Sequence, residues 1–167
     1  AHGNNVLGYG PQLYISENQG GSWTRLNIDP TPALADYFHM PWSLKADPQR
    51  PNNLLMTAII GSRAITTDEY VRSTDNGDTW QRVNLADQIG RPVFNLGQLG
   101  FDPHNSDVVY AAGNNDILKS TDNGLTWSVV LSDTSAWLGG PIAVEPVPPY
   151  RVYVGRLVSS DEGQSWD

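Results

Sequence analysis

Ser120-Thr121-Asp122-Asn123-Gly124-Leu125-Thr126-Trp127 is the stretch that decides how this chain is read, because the chain says it four times. The phrase recurs as Ser73-Thr74-Asp75-Asn76-Gly77-Asp78-Thr79-Trp80 and as Ser159-Ser160-Asp161-Glu162-Gly163-Gln164-Ser165-Trp166. Its first copy is Ser16-Glu17-Asn18-Gln19-Gly20-Gly21-Ser22-Trp23. The shared form is Ser-x-Asp-x-Gly-x-Thr/Ser-Trp, and Asn18 in the aspartate position is its one departure. Recurrence at matched positions marks an internal repeat.

Each copy has a local physical reading. Strand-like residues precede it, as in Tyr14-Ile15 or Ile117-Leu118; the polar run reads as a hairpin turn, and the Trp opens the returning strand. The short carboxylates of Asp75, Asp122 and Asp161 suit acceptance of N–H groups within their own turn. Gly20, Gly77, Gly124 and Gly163 supply a positive φ. The hydroxyls of Ser16, Ser73, Ser120 and Ser159 tie the turn edges, and Trp23, Trp80, Trp127 and Trp166 are apolar anchors. Asn18 keeps an acceptor without the charge.

Outward from the turns, the pattern continues. Ala46-Asp47-Pro48, Phe101-Asp102-Pro103 and Val144-Glu145-Pro146 mark one point in successive cycles, and Leu54-Leu55-Met56, Val108-Val109-Tyr110 and Arg151-Val152-Tyr153 mark another. Each cycle therefore carries four strands, a to d, with the repeated turn between c and d. The anchor tryptophans are 57, 47 and 39 residues apart, the scale of a four-stranded propeller blade of roughly 40 to 50 residues. The expected fold is an all-β propeller of four-stranded antiparallel blades in one unit, 1–167, with blade segments at about 1–28, 42–85, 93–131 and 141–167. A two-sheet sandwich requires no such recurring unit, and a parallel β-helix has shorter coils without tight hairpins. Residues 29–41 (with one helical turn at 33–35), 61–68 and 86–92 read as connections, and 93–101 as a strand. The first cycle shows b, c and d and the last a, b and c, so the sequence predicts an incomplete propeller, its remaining blades in a longer chain or a second chain.

Composition narrows the function classes. The formal net charge of −8 argues against nucleic acid and anionic membrane surfaces as partners. No apolar run is long enough to span a membrane as a helix, and no basic leader precedes the first strand. With no cysteine, neither disulfides nor thiol chemistry enters. No phosphate-binding glycine loop precedes a helix, and the histidines lack metal-ligand spacing, so no cofactor or metal is expected.

The four phrases resemble the Asp-box, or BNR repeat, of sialidases, xyloglucan-active endoglucanases and sortilin-type receptor domains. The longer pattern, from Phe101-Asp102-Pro103 through Val109-Tyr110-Ala111-Ala112-Gly113 to Lys119-Ser120-Thr121-Asp122-Asn123-Gly124, is most similar to the sugar-hydrolase and photosynthetic assembly-factor branches. That resemblance implies Asp-boxes on c–d hairpins at the blade periphery, away from the ligand face, with Asp75, Asp122 and Asp161 serving the fold. Ligands then meet the b–c and d–a connections. These supply Tyr37, His39, Trp42, Arg63, Arg91 and Trp137 as binding candidates, and Asp36, Asp68 and Asp133 as candidate catalytic acids. Aromatic rings stack on sugar faces, and a glycosidase needs two carboxylates flanking the scissile bond. The arginine cluster and tyrosine nucleophile of sialidases are not legible. The implied function is part of a secreted or extracytoplasmic carbohydrate-active propeller, a glycoside hydrolase binding or cleaving a plant- or microbe-type polysaccharide. The alternative is a non-catalytic scaffold for protein binding or assembly.

Overall fold

The computed structural model describes residues 14–25, 40–62 and 65–167, with side chains described outside 40–42 and 58–69. Residues 1–13 and 26–28 of the first blade segment, the helical turn at 33–35, and Asp36, Tyr37, His39 and Arg63 lie outside the described residues. Within them the chain forms four antiparallel sheets, in each of which the strands lie in chain order. The first holds β1 (Tyr14–Ile15) and β2 (Thr24–Arg25). The second holds β3 (Met40–Ala46), β4 (Leu54–Ser62), β5 (Ile65–Ser73) and β6 (Gln81–Val83), separated from the third by the helix α1 (Leu85–Ile89). The third sheet is β7 (Gln98–Phe101), β8 (Val109–Ala112), β9 (Asp116–Ser120) and β10 (Ser128–Ser132). The fourth is β11 (Ile142–Val144), β12 (Val152–Val154) and β13 (Leu157–Ser159). Beyond it Val158 and Asp167 exchange two backbone hydrogen bonds of 3.0 Å.

This a–b–c–d meander is the blade of a β-propeller. The inner strand β7 lies against both β3 and β11, so the inner strands sit side by side as a radial arrangement requires. The core lies between blades. Leu55, Tyr70, Val83 and Leu85 of the second blade and its connection pack with Leu99, Val109, Ala111, Leu118 and Trp127 of the third. Tyr110, Ile117 and Ala112 on the third blade pack with Val152, Val154 and Trp166 of the fourth. Each fully buried aliphatic or aromatic side chain contributes about 1.5–3 kcal/mol. Tyr70 also stacks on Trp127 of the next blade, with ring centroids 4.6 Å apart and planes 8° from parallel.

Four details differ from the sequence reading. Ladder register pairs Leu54 with Ser73, Val109 with Ser120 and Val152 with Ser159. Leu54 is therefore the equivalent of Val109, one residue away from the alignment taken from the sequence. Because side chains alternate faces, that slip exchanges the two faces of the strand. In the observed register Leu55 and Tyr110 are equivalent, and each covers an Asp-box glycine of the next blade. A Cβ on Gly124 would lie 2.8 Å from Leu55 Cδ2, and one on Gly163 would lie 3.2 Å from Tyr110 Cε1.

The stretch 61–68 is mostly strand, since the β4–β5 ladder continues to the Ser62–Ile65 pair. Asp68 is thus a strand residue paired with Ile59 and not a loop residue. The stretch 93–101 is strand only from Gln98. Finally, the connection after β6 folds as α1. Asn84 Oδ1 accepts from Asp87 N–H, and left-handed Gly90 (φ 78°) closes the helix by donating its N–H to Ala86 O at 2.8 Å. Leu85 and Ile89, four residues apart on one helix face, pack against the core between the second and third blades.

Candidate ligand-binding face

Each blade has two ends, and the chemistry of the two differs. At one end lie the Asp-box hairpins and the a–b turns. In each Asp-box the residue before the glycine and the glycine itself are both left-handed: Gln19 and Gly20, Asn76 and Gly77, Asn123 and Gly124, Glu162 and Gly163. Around that pair the serine and aspartate form the same network in the three copies that carry the aspartate. Ser73 Oγ donates to Asp75 Oδ1 at 2.8 Å and accepts from Gly77 N–H at 2.8 Å. Asp75 then accepts from Thr79 N–H at 2.9 Å and from the Thr79 hydroxyl. The indoles of Trp80 and Trp127 donate to Gly77 O at 2.9 Å and Gly124 O at 3.0 Å. Asn18 accepts from Ser22 N–H at 2.7 Å as an aspartate would, while its amide donates to Ser22 Oγ at 2.8 Å. The Ser165 hydroxyl and backbone hold the Asp161 carboxyl down to about 2. For Asp122, burial alone would raise the pKa, but hydrogen bonds from Thr126, Ser120 and Leu125 outweigh it and lower it. These carboxylates are occupied within their turns.

The same end carries a polar joint between the second and third blades. Buried Asn123 donates from Nδ2 to Asp47 Oδ2 and Ser106 O, both at 2.8 Å, and accepts from Asn53 Nδ2 at 3.2 Å. Arg50 bridges Asp47 at 2.8 Å and Asp107 at 2.7 Å. Arg72, just before its Asp-box serine, donates to Asn123 O at 3.1 Å; Lys119, in the equivalent place, donates to Glu162 O at 2.7 Å. Gln88 of α1 joins the same blades by accepting from Trp127 N–H at 2.8 Å and donating to Leu125 O at 3.1 Å.

The opposite end carries the b–c and d–a connections. At its centre is the third blade's b–c turn, residues 113–115. Asn114 N–H donates to Phe94 O at 3.1 Å, and Asn114 O accepts from Leu138 N–H at 2.7 Å. This one turn therefore holds the connections carrying Phe94 and Trp137 on either side of it. Both aromatic rings are presented outward: Phe94 is 51% exposed and Trp137 72%. From beneath, Asn115 Nδ2 donates to Asp133 O at 3.0 Å and Ala136 O at 3.3 Å, fixing the loop that bears Trp137. Phe94 was not among the sequence candidates because a strand through 93–101 would have assigned its side chain to a blade face.

The other candidates take different places. Arg91 grips Asp116, the first residue of β9, through both guanidinium nitrogens, which lowers the Asp116 pKa, and it reaches Ser132 Oγ at 3.4 Å. Asp133 accepts from Ser135 N–H at 2.8 Å and from the Ser135 hydroxyl, and that hydroxyl is the first cause of its lowered pKa. The direction suits an ionised loop staple and opposes a general acid, whose pKa must be raised. Trp42 lies in β3 beside the register shift between Pro41 and Ser43. Among the described residues no group of three potential metal ligands converges, and no helix is long and apolar enough to cross a membrane.

Sheets in a–b–c–d order, inner strands side by side and one Asp-box turn per blade define an Asp-box β-propeller chain that resembles sialidase and xyloglucanase propellers. The family model described as BNR/Asp-box repeat matches residues 71–82. A xyloglucanase from Hypocrea jecorina is 33% identical over an alignment of 132 positions that covers 71% of this chain and 15% of that protein. The chain thus matches a small part of its curated relative's length. The crystal structure of a Niastella koreensis GH74 enzyme superposes with a TM-score of 0.67 at 24% identity, over 92% of this chain and 26% of the other. A Hadza microbial sialidase superposes with a TM-score of 0.55 at 15% identity, covering 93% and 39%. These two likenesses concern the fold.

Proposed function

We propose that this chain supplies blades of a carbohydrate-active propeller and that the end bearing Phe94 and Trp137 lies against a neutral polysaccharide. One observation carries the reading: two outward aromatic rings flank a single hydrogen-bonded turn on the end opposite the Asp-boxes. Exposed aromatics fixed by backbone hydrogen bonds provide apolar area at little entropic cost, which suits the C–H faces of pyranose rings. The net charge of −8 favours a neutral chain over a polyanion. The similarity to a xyloglucanase supports xyloglucan as the first ligand to try. On this reading the whole protein is a secreted glycoside hydrolase, with Asp36 and Asp68 the acids to test first, because Asp133 is engaged by Ser135.

Affinity electrophoresis in gels containing soluble xyloglucan, run beside a reducing-sugar assay, tests it. Retardation of the chain, weakened about threefold to tenfold in Trp137→Ala, is the expected result. Migration unaffected by xyloglucan and by other neutral polysaccharides overturns it. Retardation without sugar release leaves binding intact and removes hydrolysis from this chain.

A further inference from the structure

Trp137 is 72% exposed, yet it is not loose on the surface. Gly139, two residues on, is buried, and a Cβ built on it would fall 2.8 Å from Cε2 and from Cζ2 of the Trp137 indole and 3.0 Å from its Nε1. Real Cβ atoms do not approach other atoms so closely. The indole therefore rests directly on the Gly139 backbone, with most of its surface open to solvent. The next residue continues the arrangement at backbone level. A Cβ on Gly140 would lie 2.7 Å from Gly155 Cα, in the b–c turn of the fourth blade, and Gly155 N–H donates to Pro141 O at 3.0 Å. Gly155 is itself left-handed, at φ 58°.

We infer that Gly139 is a positioning residue that seats the Trp137 indole as a fixed platform, and that the contact between Gly140 and Gly155 sets the platform's height against the neighbouring blade. The seat is specific to the absence of a side chain: alanine adds a single carbon at the place the ring occupies. Because that obstacle is an indole at the surface and not buried backbone, the ring has room to leave, so Gly139→Ala displaces it while the blades stay folded. A ring turned off its seat no longer presents the same face. The consequence for ligand binding rests on the carbohydrate reading above; the seating of the ring does not.

The two are separated by reading the indole and the ligand independently. In the ¹H–¹⁵N spectrum of the chain, the Trp137 indole N–H is the cross-peak missing from Trp137→Ala. Gly139→Ala is expected to shift that cross-peak while leaving the indole signals of Trp80 and Trp127 in place, and to weaken retardation by soluble xyloglucan about threefold to tenfold, toward the Trp137→Ala value. A Trp137 cross-peak unmoved by Gly139→Ala overturns the positioning role, whatever the xyloglucan gel shows. A shifted cross-peak with Trp137→Ala retarded like the parent chain upholds the seat and refutes the ligand reading. If Gly139→Ala does not fold, the same change is made in the Trp137→Ala background. Recovery of folding there identifies the indole clash as the cause and supports the seat; failure shows that Gly139 is needed for another reason and overturns it.

Discussion

Glu162 and Asn123 occupy the same place in successive Asp-boxes and differ in how well they suit it. Both are left-handed, at φ 59° and 58°. A residue with a Cβ is strained there, and asparagine tolerates the conformation better than glutamate. Asn123 adds a buried side chain that joins two blades, whereas the Glu162 side chain is 74% exposed and lies 3.8 Å from Lys119 Nζ. The useful part of Glu162 is its carbonyl, which accepts from Tyr110 Oη at 3.0 Å and from Lys119. Glu162→Asn keeps that carbonyl and relieves the strain. It is expected to stabilise the chain by about 0.5–1 kcal/mol, part of the left-handed penalty of a residue with a Cβ, read as a rise in the urea midpoint with an unchanged slope; an unchanged or lower midpoint contradicts this account.

At the scale of elements, α1 shows which local signals a reading by repeats passes over. Asn84 as cap, Gly90 as left-handed stop and Leu85 with Ile89 on one face are all present in the sequence. Five residues make a marginal helix alone, so the element depends on packing between two blades. Leu85, fully buried, supplies that packing. Leu85→Ala should cost about 2–5 kcal/mol by loss of burial and the cavity left behind, measured by urea unfolding. A cost below about 1 kcal/mol would mean that α1 merely covers the core and is not part of it. Strand register belongs to this scale too. The equivalence of Leu55 and Tyr110 is fixed by ladder pairing and by the glycine each covers, and neither is visible in residue identity: Leu54 and Leu55 are the same residue type. The phase of two adjacent leucines is decided by what lies opposite them.

For the whole molecule, ionised carboxylates are concentrated where turns and blades are joined. Asp116 is lowered first by Arg91, and Asp161, by Ser165, to about 2. Burial opposes ionisation of Asp47, but hydrogen bonds from Gln49, Ser106 and Arg50 outweigh it and leave its pKa lowered as well. Such groups bind a proton less readily in the folded chain than in the unfolded one. Their stabilisation is complete above the unfolded carboxylate value of about 4 and is lost as pH falls through their lowered folded values, which for Asp161 is about 2. The urea midpoint should therefore hold steady from about pH 7 to 5 and drop steeply below about 4. A midpoint that rises on acidification would show that repulsion within the net charge of −8 outweighs these pairings.

The sequence by itself determined the repeat, the four-strand blade and the turn chemistry, because serine, aspartate, glycine and tryptophan act there within a few residues of one another. It also marked Trp137 as an aromatic in a connection. Only the tertiary structure decided that Arg91 is held by Asp116, that Phe94 faces outward across the same turn as Trp137, and that Gly139 lies beneath the indole. Arg91 and Asp116 are 25 residues apart in the chain, and the loop carrying Trp137 rests on a turn of the following blade. Contacts of that kind depend on how one sheet lies against the next, and no local pattern of residues encodes the distance between them.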